Sequence, residues 1–494
     1  CVGGGGEKQG QRERGDGRMS VRRAAKRQCR WFTNPWFEAD EETEMQDVSG
    51  ILRAEFPHLV QFLLEWVNIY TQGQFADQEE DCRRPYPYTG SSGIAYSLAV
   101  LYSKLSDEQW PPVKVDEETR PVVEALQDLR GWIHEEAVDR LVSSVRNTES
   151  KSSRQLSFLD GNIGVYTVSL LCSPILLTPD EQTPLRMDLQ AAHIGVALRQ
   201  LKTMDSTGSQ EILYGAAGVL LASKLVEYSP ECDKEINTED QHALVRYLVE
   251  SGQQVSADLH SQWPLMYVWH HRDYLGMAHG IGGILYTLLH FPEYFDDPSN
   301  CQGQTHKQLV YDTLMCVLQS EEGPGEYSSS CSASSGGDPM VHWCHGAGGL
   351  VFLFCRAYEF FGDAVFLEAA LRCGQLIWQR GILRKGPGLC HGVSGNGFAL
   401  LAIFKTLSRT EPPSSSLSKE LLAQARPALW YWRACKFAQV LFTADGSFRL
   451  EANTPDRPAS LYEGWAGVGP FLLALVEPFH LSGFAGFPLF EIVR

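Results

Sequence analysis

The sequence has no apolar run near the roughly 18 residues a membrane-spanning helix requires, so no transmembrane segment is expected. Positive charge is also scarce. Lysine and arginine number 42 against 60 aspartate and glutamate, a net charge of −18 over 494 residues. Such an acidic body lacks the basic face that nucleic-acid phosphates demand, which excludes nucleic acid as a partner. Alternating apolar and polar residues, the mark of a strand, are rare. Apolar residues make up 44% and charged residues 21%, enough to build a large core and incompatible with wholesale disorder, a collagen or a disulfide miniprotein.

The charge is uneven. Residues 1–30 carry nine basic and three acidic side chains, are glycine-rich and contain few apolar residues, leaving −24 on the rest. Residues 1–29 therefore read as a solvated, disordered basic arm, which offers anionic lipid a peripheral contact. The chain starts at Cys1, with Met19 as the expected initiator. No apolar h-region follows the basic residues, so no secretory signal is expected. Thirteen cysteines, an odd number in a long chain without such a signal, suit free thiols or a metal site in a reducing cytoplasm.

One pattern dominates the remaining chain. Gly-x-x-Gly followed directly by an apolar stretch occurs at Gly90, Gly161, Gly215, Gly280, Gly346, Gly392 and Gly464, at intervals of 71, 54, 65, 66, 46 and 72 residues. A single copy means nothing among 45 glycines, but seven copies, each opening a run such as Val219-Leu220-Leu221-Ala222, indicate a repeat architecture. The runs after the glycines are apolar nearly all round, as for helices buried on every side. Between them, Leu367, Ala370, Leu371, Leu376 and Ile377 recur at helical spacing with Glu368, Arg372 and Gln375 interspersed. Each repeat has room for two helices. The expectation is an all-α, double-layered (α/α)7 barrel or toroid, its seven glycine loops gathered at one pole. Ser328 to Gly337 and Pro412 to Ser416 read as surface insertions.

Converging loops would bring the residue before each first glycine near the axis: Thr89, Asp160, Tyr214, His279, His345, His391 and Glu463. A structural ring has no need to collect such groups. Two loops add thiols, in Trp343-Cys344-His345-Gly346 and Leu389-Cys390-His391-Gly392. Cysteine and histidine are preferred zinc ligands, and a catalytic zinc keeps one position open. Cys344, His345, Cys390 and His391 compete for three places, and spacing alone does not choose between the histidines. Cys172, Cys316, Cys355, Cys373 and Cys435, together with His290 and His480, read as core residues.

The segments Leu275-Gly276-Met277-Ala278-His279-Gly280, Trp343-Cys344-His345-Gly346 and Lys385 to Gly392 resemble those of eukaryotic LanC-like proteins, relatives of the bacterial lanthionine cyclases. The ending Ser460 to Gly467 and the terminal Phe487-Pro488-Leu489-Phe490 agree. The resemblance covers residues 30–494 and implies a single α/α-barrel domain. It implies zinc held by Cys344, Cys390 and His391, with His279 as an acid/base group facing the metal. His345, which stands where bacterial cyclases have tyrosine, joins it as a candidate catalytic residue. The implied reaction is addition of glutathione to dehydroalanine or dehydrobutyrine residues in proteins. Glutathione's carboxylates need basic anchors, and the resemblance assigns Lys385 and, through Arg30-Trp31-Phe32-Thr33-Asn34-Pro35, Arg30. It also brings Asp456, of Thr454-Pro455-Asp456, into the substrate site. Two departures stand out. Asn453 replaces an arginine of the relatives, removing one anionic contact. Met340 and Val341 replace an arginine of the bacterial cyclases, so lanthionine ring closure is not expected. Two other readings remain: a zinc- and glutathione-binding scaffold without turnover, and a glycosidase built on Asp160 and Glu463.

Overall fold

The computed structural model describes residues 30–37, 47–72, 84–148, 156–201, 209–227, 235–332, 339–410, 417–442, 455–479 and 486–492. The basic arm, Asn453, Thr454, His480 and the insertion at 412–416 lie outside these residues.

Each Gly-x-x-Gly opens a helix of the inner layer: α2 (Ser91–Leu105), α5 (Asn162–Leu176), α7 (Ala216–Leu225), α9 (Ile281–Leu288), α11 (Ala347–Phe361), α13 (Val393–Arg409) and α15 (Val468–Val476). Neighbours in this order pack together and α15 closes on α2, so the seven form a complete ring. Every residue of α9 and of α15 is buried, as their unbroken apolar sequences require.

The outer layer consists of α1 (Val48–Thr71), the pair α3 (Arg120–Asp128) and α4 (Arg130–Arg146), α6 (Met187–Leu201), α8 (Thr238–Asp258), α10 (Cys301–Gln319), α12 (Ala364–Arg380) and α14 (Pro427–Leu441). Each packs on inner helices except α3, which packs on α1 and α4. In α12 the predicted apolar face is buried, while Glu368, Arg372 and Gln375 are only half-buried. Strand structure among the described residues is slight: β1 (Glu321–Gly323) pairs with β2 (Glu326–Tyr327) just before the 328–337 insertion. No described helix is long and apolar enough to cross a membrane.

Space, more than backbone conformation, explains the glycines. A Cβ on Gly218, Gly283, Gly349 or Gly395 would lie 1.9, 2.0, 2.1 or 1.8 Å from the carbonyl oxygen six residues earlier. The loop thus folds flat against the first turn of its own helix. Among the seven first glycines only Gly346 has a positive φ, +91°.

The central hole is filled by the C-terminal segment 486–492. Phe487 and Phe490 both pack on Trp343 and Phe352. Phe487 also meets Phe398 and Tyr462, while Phe490 stacks on Tyr286 at 4.3 Å. The Tyr462 hydroxyl donates to the Pro488 carbonyl at 2.8 Å, and Lys405 pairs with Glu491 at 2.9 Å. The plug therefore touches Trp343, the residue before Cys344, and supports the loop pole from below.

Candidate active site

The seven loops are stitched together by backbone hydrogen bonds. Ala278 N–H donates to the Cys344 carbonyl at 3.5 Å, Cys344 to Cys390 at 3.2 Å, Cys390 to Tyr462 at 2.7 Å and Tyr462 to Tyr88 at 3.1 Å. Tyr88 in turn donates to Leu159 at 2.9 Å, and Phe158 to Leu213 at 3.1 Å. Five of these donors and all six acceptors lie two positions before a first glycine. Cys344 and Cys390 are thus equivalent residues on adjacent loops, which is why their thiols meet.

With His391 they form a compact group: the two Sγ atoms and an imidazole nitrogen lie within 4.8 Å of one another. Both cysteines are buried and His391 is half-buried. Burial raises the Cys390 thiol well above its ordinary range, and the adjacent Cys344 adds to this. For His391, burial is outweighed by the Cys390 sulfur, so its net shift is upward. The Tyr88 phenol is pushed up first by burial and then by Cys390 and Cys344 beside it.

The belt is interrupted between the third and fourth loops, where side chains replace the backbone bond. The Glu211 carboxylate accepts from Leu213 N–H at 3.1 Å, Tyr214 N–H at 2.6 Å and the Ser209 hydroxyl at 3.0 Å. It also contacts His279 Nδ1 at 2.7 Å. Glu211 is 2% exposed and His279 25%. Holding Nδ1 this way fixes the ring and leaves Nε2 for a substrate. Sequence reasoning passed over Glu211. Its only mark was a carboxylate four residues before Gly215, outside the positions that drew attention.

His345, the imidazole not grouped with the thiols, lies beside Tyr274 at 5.6 Å. Burial and the neighbouring His279 lower it to about 4. Its Nδ1 is buried and has no hydrogen-bond partner among the described residues. His342 is lowered to about 3 by burial, then by His391, Lys385 and Arg30.

Arg30 and Lys385 are distant in sequence but share one rim. Residues 30–32 run antiparallel to 382–384, with Phe32 N–H on the Ile382 carbonyl at 2.8 Å and Arg384 N–H on the Arg30 carbonyl at 3.0 Å. Buried Asn34 fixes this segment by donating to the Trp378 carbonyl at 2.7 Å. Lys385 is exposed. Glu463, half-buried, is raised by burial, with His391, Asp456, Arg457 and Lys385 all close enough to act on it. Asp456 is exposed at the same edge. Asp160 accepts from the Tyr214 hydroxyl at 3.2 Å.

The chain is similar to known proteins along most of its length. The family model described as "Lanthionine synthetase C-like protein" matches residues 84–489. A Danio rerio protein named "Glutathione S-transferase LANCL1" is 33% identical over 453 residues, covering 91% of this chain and 95% of its own. Among solved structures, "Nisin cyclase" aligns with a TM-score of 0.49 at 15% identity, over 85% of this chain and 95% of that one. The family model over residues 84–489 and the 33% identity to the Danio rerio protein make this ring of glycine-led helices a member of the lanthionine synthetase C-like family.

Proposed function

We propose that this protein is a cytoplasmic, zinc-dependent enzyme that adds glutathione to dehydroalanine and dehydrobutyrine residues of proteins, residues 30–494 acting as one catalytic body. The observation that carries the reading is the Cys344–Cys390–His391 group at the same pole as the Glu211–His279 pair. Two thiols and an imidazole in one group are a preferred zinc donor set, and three protein ligands leave a fourth position open. The name of the Danio rerio relative supports the choice of glutathione. Zinc bound there would supply Lewis acidity, favouring the thiolate form of an incoming thiol at neutral pH.

The remaining roles belong to the chain. Arg30 and Lys385 hold the two glutathione carboxylates at the rim and so aim the sulfur inward. Sulfur bonds to the β carbon of the alkene while the π pair moves toward the carbonyl. His279 returns a proton from Nε2 to the α carbon, Glu211 stabilising the ring as its charge changes. The product keeps all atoms of both reactants.

The test pairs metal analysis with turnover. Purified protein should hold one zinc per chain and consume glutathione on a dehydroalanine peptide. Cys344→Ala should lose the metal. His279→Ala should keep it and lose roughly 10²- to 10⁴-fold in rate. Undiminished turnover by His279→Ala refutes the acid assignment. Zinc and glutathione binding without turnover by the intact protein supports the scaffold reading instead.

A further inference from the structure

Segment 268–272 has no part in the chemistry above, yet it is strained and places Trp269 beside His279. Trp269 and Arg272 exchange backbone hydrogen bonds of 2.8 and 3.0 Å, closing a two-residue turn on His270 and His271. Both histidines are left-handed, with φ of 47° and 62°. Asn-Gly is the usual solution for such a turn. Ordinary side chains there cost energy, and strain of this kind concentrates at functional sites. The turn presents the Trp269 indole, braced edge-on by the His270 ring at 4.3 Å and 72°.

Beyond His270, the indole has two near-parallel ring neighbours. Trp269 lies 5.8 Å from Tyr214 at 22° and 6.2 Å from His279 at 16°, and Tyr214 lies 6.2 Å from His279 at 8°. Three near-parallel rings at the corners of a triangle cannot form one column; they are offset from one another and make a stepped aromatic shelf. All three are partly exposed. Asp160 fixes the Tyr214 hydroxyl and Glu211 fixes His279, so two of the three rings are anchored at their edges.

A dehydroamino-acid residue is flat, because its alkene is conjugated with the flanking amides. A saturated residue has a tetrahedral α carbon and projects a side chain from that plane. A rigid aromatic shelf therefore favours the unsaturated form. We propose that Trp269 is a specificity-determining residue that lays the planar enamide of dehydroalanine or dehydrobutyrine against the face of its indole, with Tyr214 and the proton donor His279 alongside. This rests on the addition reading, and it has the alkene enter over the fourth repeat while glutathione enters over Lys385 of the sixth.

Matched peptides carrying dehydroalanine or alanine at one position test it by titration calorimetry and steady-state turnover. The intact protein should bind the dehydroalanine peptide roughly two- to tenfold more tightly. Trp269→Leu should erase that preference and raise KM for the alkene by the same factor, leaving KM for glutathione and zinc content unchanged. Trp269→Phe should retain most of the preference. A second readout needs no variant: the dehydroalanine peptide, not its alanine twin, should shield Trp269 from hydroxyl-radical labelling. Equal labelling, or an unchanged preference in a folded Trp269→Leu protein, overturns the proposal. A binding preference without turnover refutes the addition reading and leaves the shelf standing; turnover without the preference refutes the shelf.

Discussion

At the scale of single residues, the proposed reaction assigns binding and proton transfer to different groups of the pole. Glu211 is the most constrained of them, since its two oxygens serve two backbone amides, a hydroxyl and His279. Glutamine offers one acceptor oxygen and would put an amide NH2 against two of these donors. Glu211→Gln should therefore lower turnover about 10- to 100-fold, the usual cost of removing a carboxylate that orients an imidazole. Zinc content, read by elemental analysis, should not change. Lys385 lies at the other extreme. It is exposed, so water screens its charge and its contribution is small. Lys385→Ala should raise KM for glutathione only about two- to fivefold, with kcat unaltered, as measured by varying glutathione at saturating peptide. The Cys-His-Gly motifs were legible because they bring rare residue types together. Glu211 and Asn34 were not, because their importance lies in partners 68 and 344 residues away.

At the scale of the element, each repeat is a loop pressed onto the first turn of an inner helix. Gly283 shows how little room this leaves: a Cβ there would meet the Met277 carbonyl oxygen at 2.0 Å and Ile212 Cδ1 at 2.7 Å. Gly283→Ala should cost about 1–3 kcal/mol through overpacking. Gly131, in outer helix α4, has nothing within 4 Å of its Cβ position. Gly131→Ala should instead stabilise by about 0.4–1 kcal/mol, because it restricts the unfolded chain without a clash. Thermal melts of the two variants should move in opposite directions. The outer helices were read correctly in α12 because one face must pack and the other meets solvent. Their pairing with particular inner helices depends on how the ring closes, which periodicity does not record.

At the scale of the whole molecule, ring closure needs something on the axis, and the last residues of the chain provide it. Phe490 packs among Trp343, Phe352, Tyr286 and Phe487, fully buried. Phe490→Ala should cost about 3–5 kcal/mol, as for other large-to-small changes in a tight core. Because the same ring touches Trp343, the variant should also release zinc faster to a chelator, a loss that follows from loosening the Cys344 loop.

The sequence alone determined the all-α class, the sevenfold repeat and the candidate donors, because a helix buried on all sides and a glycine loop leave marks within a few neighbouring residues. Spacing left His345 and His391 equivalent. Only the tertiary structure brought one of them, His391, to the thiols, joined Glu211 to His279, docked residues 30–32 against 382–384 and set Trp269 beside Tyr214. Each of these is a contact between distant segments, decided by the angle at which seven helix pairs close into a ring.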